Sequence, residues 1–165
     1  MFKLSFLSLL LVSSFASAEE ARRADAHVHG LNNLSMVISQ NQVAISYEMP
    51  IVQLFDEHEG HDEMVVSNDL LAEFQNYLQL FAFPKDAECA LVSFESGLHA
   101  VSTEGGHKDV ELSYEFSCNE PSQLKTITIN AFNRFSELET LNFEAVINNK
   151  ALTKSLKSGV DKVIF

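Results

Sequence analysis

Between residues 34 and 49 apolar and polar side chains alternate. Leu34, Met36 and Ile38 share one parity, and after a turn at Asn41-Gln42 so do Val43, Ile45, Tyr47 and Met49. A period of two is that of a strand with one buried face, so the pattern predicts a β-hairpin. The alternation is cleanest over 109–118, where Val110, Leu112, Tyr114, Phe116 and Cys118 interleave with Asp109, Glu111, Ser113, Glu115 and Ser117. Residues 89–101 read as another strand, with Val92, Phe94, Leu98 and Ala100 on one face. Strand-forming runs at 124–130, 141–147, 151–156 and 161–165 follow, with Asn148-Asn149-Lys150 as a turn.

The period changes once. After Ser67, an N-cap candidate, Leu70, Leu71, Phe74, Tyr77, Leu78 and Phe81 line one stripe of a helix over 68–82, stopped by Pro84. A short helical piece containing Phe132 and Phe135 follows the 124–130 strand. Six to seven strands joined by short, hence mostly antiparallel, connections and one main helix near 68–82 make an α+β fold. A β-sandwich with a helical insertion is the alternative.

The amino terminus belongs to a different class of segment. Lys3 precedes the apolar run LSFLSLLLVSSF at 4–15, and Ala16-Ser17-Ala18 follows as a small-residue cleavage site. This is the layout of a secretory signal peptide over 1–18, with one domain over 19–165. No cysteine adjoins the cleavage site for lipidation, and no other stretch is apolar enough for a membrane helix, so no membrane anchor is expected after cleavage. Removing 1–18 takes away only Lys3 and leaves 10 basic against 23 acidic side chains, a formal charge of −13. So acidic a chain lacks the clustered Lys and Arg that phosphate binding needs, which excludes nucleic acid as a partner, and it attracts cations. Export also permits a disulfide. The two cysteines, Cys89 and Cys118, lie at strand ends without C-x-x-C spacing and read as a structural pair.

Six histidines, at 27, 29, 58, 61, 99 and 107, bring in the chemistry. Counted back from Leu34, Met36 and Ile38, His27 and His29 fall on the polar face of the first strand. Same-face neighbours on a strand are about 6.5–7 Å apart, so imidazoles at i and i+2 reach one ion. His107 and Asp109 repeat that spacing at the head of the 109–118 strand. If the two strands are neighbours, His27, His29, His107 and Asp109 form a tetrahedral set of nitrogen and oxygen donors, which suits Zn(II). The run H-E-G-H-D-E at 58–63 adds His58 and His61. Its Gly60 favours a loop over a helical turn, and the run is one residue short of the H-E-x-x-H of a metalloprotease. Such a loop can close over an ion held by the strands or take a second one. His99 is a further candidate ligand, with an ordinary surface histidine as the simpler account.

These features together resemble the zinc-regulated periplasmic protein A family of exported bacterial zinc-binding proteins. The resemblance runs through H-V-H-G-L-N-N-L-S-M-V-I at 27–38, P-I-V-Q-L-F-D-E-H at 50–58, C-A-L-V-S at 89–93, H-K-D-V-E-L-S-Y-E-F-S-C at 107–118 and L-K-T-I-T-I-N-A-F-N-R-F at 124–135. It implies a periplasmic protein, made when zinc is scarce, that works alongside a component of a zinc importer. It also implies His27, His29, His58 and His107 as ligands. Family members often carry a long His/Asp/Glu-rich insertion between the cysteine-flanked strands. Here that loop is only S-T-E-G-G-H-K, so fewer sites are expected. The reading is a zinc-binding protein rather than an enzyme, one that captures or buffers Zn(II) and supports its uptake. Its rivals are a metal-dependent hydrolase, a copper- or nickel-binding periplasmic protein, and a domain whose histidines are incidental.

Overall fold

A computed structural model describes residues 30–54, 68–100 and 109–165, with residues 99 and 100 described by backbone alone. The hairpin expected from the alternation is present as β1 (Leu31–Ser39) and β2 (Gln42–Pro50), turned at Gln40, whose φ is +57°. Buried positions in β1 are Asn32, Leu34, Met36 and Ile38, and in β2 Val43, Ile45, Tyr47 and Met49, with Pro50 buried at the strand's end. The period-two reading therefore holds residue by residue, with Asn32 as a polar member of the core face.

The helix is shorter than its stripe. α1 covers Asn68–Gln75; Asn76 leaves the helical region, a 3-10 turn follows at Tyr77–Gln79, and Phe81–Ala82 form β3. Longer-range partners account for the early stop. Tyr114 donates its hydroxyl to the Phe74 carbonyl at 2.7 Å, satisfying one of the carbonyls a helix leaves open at its C-terminus. The Leu80 carbonyl accepts the backbone N–H groups of Asn130 and Ala131, at 2.8 and 3.0 Å. Phe81 pairs with Ile129 as a strand residue.

β4 (Cys89–Ser96) ends in a 3-10 turn at Gly97–Ala100. A register shift between Leu91 and Ser93 breaks its alternation and leaves Val92 exposed, against the expected core position. β5 (Asp109–Cys118), β6 (Thr126–Ile129), α2 (Ala131–Arg134), β7 (Thr140–Ile147), β8 (Lys150–Lys157) and β9 (Lys162–Ile164) follow. The β7–β8 turn has positive φ at both Asn148 and Asn149, the geometry of the tight hairpin that asparagine tolerates.

The strands form two sheets: six in the order β4-β5-β2-β1-β7-β8 and three in the order β3-β6-β9. Every pair is antiparallel except β1 with β7, which run parallel from Leu31↔Thr140 to Ile38↔Ile147. The architecture is α+β and dominated by sheet, as expected, with more strands than the patterning resolved. One face of the large sheet is polar. The other packs into a core shared with α1 and the small sheet. Aromatic contacts bind the layers: Phe116 meets Tyr77 and Phe83 edge-on at centroid distances of 4.8 and 5.0 Å, and Phe81 meets Tyr114 at 5.5 Å. Burying each such ring contributes roughly 1.5–3 kcal/mol. Cys89 and Cys118 face each other in register on β4 and β5 and are joined as the expected disulfide. Among the described residues no helix is long and apolar enough to cross a membrane.

Candidate functional site

Strand direction determines which segments share an end of the large sheet. β1 runs against β2, β2 against β5 and β5 against β4. The start of β1, the end of β2, the start of β5 and the end of β4 therefore lie together, on four adjacent strands. Pro50 at the end of β2 pairs with Asp109 at the start of β5, one row beyond Glu48↔Glu111. The described segments nearest in sequence to the histidines include all four of these strand ends. In sequence, His29 and His27 precede β1 by two and four residues, and His107 precedes β5 by two. His58 and His61 follow Leu54, the last described residue after β2, by four and seven. His99 belongs to the 3-10 turn after β4.

Of the sequence-derived ligands, Asp109 is described in full and lies exposed at the head of β5. His99 is described by backbone only, and His27, His29, His58, His61 and His107 lie outside the described residues. Among the described residues no group of three or more His, Cys, Asp or Glu side chains is placed to hold a metal ion. The condition under which His27, His29, His107 and Asp109 were grouped is also revised: β1 and β5 are separated by β2. That gap narrows in importance beyond Pro50. There β2 stops, and the chain turns through the 3-10 segment Ile51–Leu54 with Ile51 buried. A proline, which cannot donate to the ladder, is a natural last residue for such a strand.

The polar face at this end carries carboxylates. Glu48 and Glu111 are direct cross-strand partners, an arrangement that like charges disfavour. Neighbouring donors offset it. Ser46 Oγ donates to Glu111 Oε1 at 2.7 Å, and Asn33 Nδ2 to Glu48 Oε2 at 3.3 Å. Asn142 Nδ2 in turn donates to Asn33 Oδ1 at 3.2 Å. With Asp109 two residues before Glu111, the outer surface at this end presents acidic oxygens near the heads of β1 and β5.

The core face holds the residues that the histidine pattern did not single out. Asn32 is fully buried; its Nδ2 donates to the Tyr47 hydroxyl at 2.6 Å, while its Oδ1 has no partner among the described residues. Both amide atoms of Gln53, in the turn after β2, are also buried and have no partner among the described residues. A buried polar atom left without a hydrogen bond costs about 1–3 kcal/mol. Burial pushes the Tyr47 phenol well above its ordinary value, with the Asn32 hydrogen bond opposing the shift. Tyr114 is raised likewise, by burial first and by the nearby Tyr47 second. Asn32 had a legible signal, an amide at a core-parity position among Leu34, Met36 and Ile38. Gln53 had none.

Gly30 fixes where the H-V-H-G motif joins the sheet. Its φ of +78° is in the left-handed region, and a Cβ there would lie 2.8 Å from the Glu137 carbonyl oxygen. Its own carbonyl accepts N–H groups from Glu139 and Thr140, both at 2.9 Å, tying the head of β1 to that of β7. The glycine is thus required by both conformation and space.

A family model described as "ZrgA family zinc uptake protein" matches residues 26–165, well over half of the chain and all of the described fold. The comparison with curated proteins found no match.

Proposed function

The chain belongs to the ZrgA family of zinc uptake proteins, and from that premise we propose that it is a periplasmic Zn(II)-binding protein that captures or buffers the ion and supports its import. Residues 1–18 act as a signal peptide, and 19–165 are the mature zinc-binding domain. The reading is of a binding protein rather than an enzyme, in keeping with a family described by uptake. Zinc is its cargo, and a component of a zinc importer is its partner.

One observation supports the proposal: the described segments nearest in sequence to the histidines, the start of β1, the end of β2, the end of β4 and the start of β5, lie together at one end of four adjacent strands. Reach supports their convergence. β1 and β5 are two strand spacings apart, about 10 Å. An extended chain spans about 3.5 Å per residue, so the two-residue tethers of His29 and His107 each cover about 7 Å. His27, His29, His58 and His107, with Asp109, are the proposed ligands; His61 and His99 are additional ones. Neutral imidazoles with one carboxylate match what Zn(II) takes. The disulfide removes both thiolates from contention. Acidic side chains around the site lower the electrostatic cost of bringing in a dication.

Zinc titration by calorimetry against a competing chelator tests this. Wild type is run beside His27→Ala/His29→Ala and His58→Ala/His61→Ala. Tight binding that the first pair abolishes is the expected result. Wild-type binding no tighter than roughly 10 μM, about 7 kcal/mol, refutes it.

A further inference from the structure

The outer face of the large sheet, opposite the core, carries mostly serine, threonine and asparagine between its charges, as a solvated sheet surface does. One row differs. Val37 on β1 and Val146 on β7 are direct neighbours and stand 48% and 44% exposed. Ala44 on β2 and Ala151 on β8, both exposed, extend the row to either side. Single exposed apolar side chains are ordinary on any surface, whereas a row continuous across four strands marks a place of contact.

Carboxylates frame this row. Glu115 on β5 pairs with Ala44 and closes one end of it, and Glu144 stands two residues before Val146 on β7. Two rows nearer the head of β1, Glu48 and Glu111 face each other, and Glu95 on β4 pairs with Ser113. Lys157, at the β8 edge, is the one cation among the described strand positions of this face. Glu48, Glu111 and Glu115 take serine and asparagine donors, and among the described residues no cation pairs with any of these carboxylates. Opposed like charges destabilise the lone sheet, and cations brought from outside would relieve them.

The two features together select the occupant. A second copy stacked through the same face would set carboxylate on carboxylate. An anionic lipid surface is repelled in the same way. A protein surface with an apolar ridge and a rim of Lys and Arg matches both the valine row and its frame. We infer that the outer face of the large sheet is a docking surface for such a cationic protein surface, with Val37 and Val146 as the apolar anchor and Glu48, Glu111, Glu115 and Glu144 as the charged rim. Strands β5, β2, β1, β7 and β8, at about 4.8 Å spacing and about 3.4 Å per residue, give this face roughly 500–650 Å². That is below the about 800 Å² per partner of a standard stable complex, so the contact is transient and its encounter is steered by charge. The inference goes beyond the zinc reading and uses none of its proposed ligands.

The test places the photo-crosslinking residue p-benzoylphenylalanine at Ser35, exposed in the middle of the face, or as a control at Lys162 on the small sheet, in the chain expressed in its own cells. The protein joined at Ser35 is then purified, and its affinity for the mature chain is measured by calorimetry at low and high salt. Wild type is compared with Glu48→Gln/Glu111→Gln and with Val37→Thr/Val146→Thr, which keeps a β-branched side chain at each strand position. The expected result is a protein other than this chain, joined at Ser35 and not at Lys162. Its binding weakens as salt rises and falls about 10-fold or more in each double variant. Glu48→Gln/Glu111→Gln is expected to melt no lower than wild type, because it removes opposed like charges. No adduct at Ser35, an adduct with lipid or with a second copy of this chain, or a joined protein that binds both variants as tightly as wild type overturns the inference.

Discussion

Reducing the Cys89–Cys118 bond isolates one covalent contribution to the stability of the sheet. The two residues are 29 apart in sequence and face each other in register, at the start of β4 and the end of β5. β4 is an edge strand, paired only with β5 and interrupted by the register shift between Leu91 and Ser93. Cross-linking removes loop-closure entropy from the unfolded chain. For a loop of this length the chain-entropy model gives about 12 cal/mol/K, or about 3.6 kcal/mol at 25 °C. That is a large share of the roughly 5–15 kcal/mol typical of a folded domain. The assay is urea unfolding of oxidised and reduced wild type, followed by far-UV dichroism and tyrosine fluorescence. The chain has no tryptophan and three tyrosines, of which Tyr47 and Tyr114 are fully buried. Reduction is expected to lower stability by about 3–4 kcal/mol, with a steeper urea dependence because the freed chain exposes more surface. A loss below about 1 kcal/mol would refute the argument. It would mean that the unfolded ensemble already keeps the two strands together.

Two further predictions concern the same framework. Gly30→Ala forces a Cβ against the Glu137 carbonyl at a φ of +78°, and is expected to cost about 1–3 kcal/mol in thermal unfolding, more than Gly159→Ala, where φ is +90° but a Cβ meets nothing within 4 Å. Tyr47 and Tyr114 have phenols raised by burial above the ordinary value of 10.0. Above that pH the unfolded chain releases these protons before the folded one does, so stability is full below about pH 10 and falls as pH rises beyond it. Urea midpoints measured between about pH 8 and 12 check the slope, which Tyr47→Phe should flatten.

The parts of the fold that were legible in the sequence are those that bury one face locally. β1, β2 and β5 show their core parity in every second residue because exposure alternates with the pleat. The helix was overextended because Tyr77 and Phe81 continue a 3.6 stripe while belonging to an aromatic cluster that a turn and a strand deliver equally well. The parallel pairing of β1 with β7, and the separation of β1 from β5 by β2, left no local trace; both depend on register between distant segments. For the site, histidine spacing supplies the proposed donors, whereas the meeting of the strand ends nearest to them depends on strand order. The buried Asn32 is visible as a polar residue at a core position, but its hydrogen bond to Tyr47 depends on strand pairing in three dimensions.

The central claim is that the histidines attached at one end of the sheet meet on zinc. X-ray absorption at the zinc edge, on mature oxidised protein loaded with one equivalent, tests it most directly. The account predicts a first shell of nitrogen and oxygen at about 2.0–2.1 Å, no sulfur at about 2.3 Å, and outer-shell scattering from at least two imidazoles that is lost in His27→Ala/His29→Ala. A shell of oxygen alone, a sulfur ligand, or a spectrum unchanged by that double substitution would contradict it.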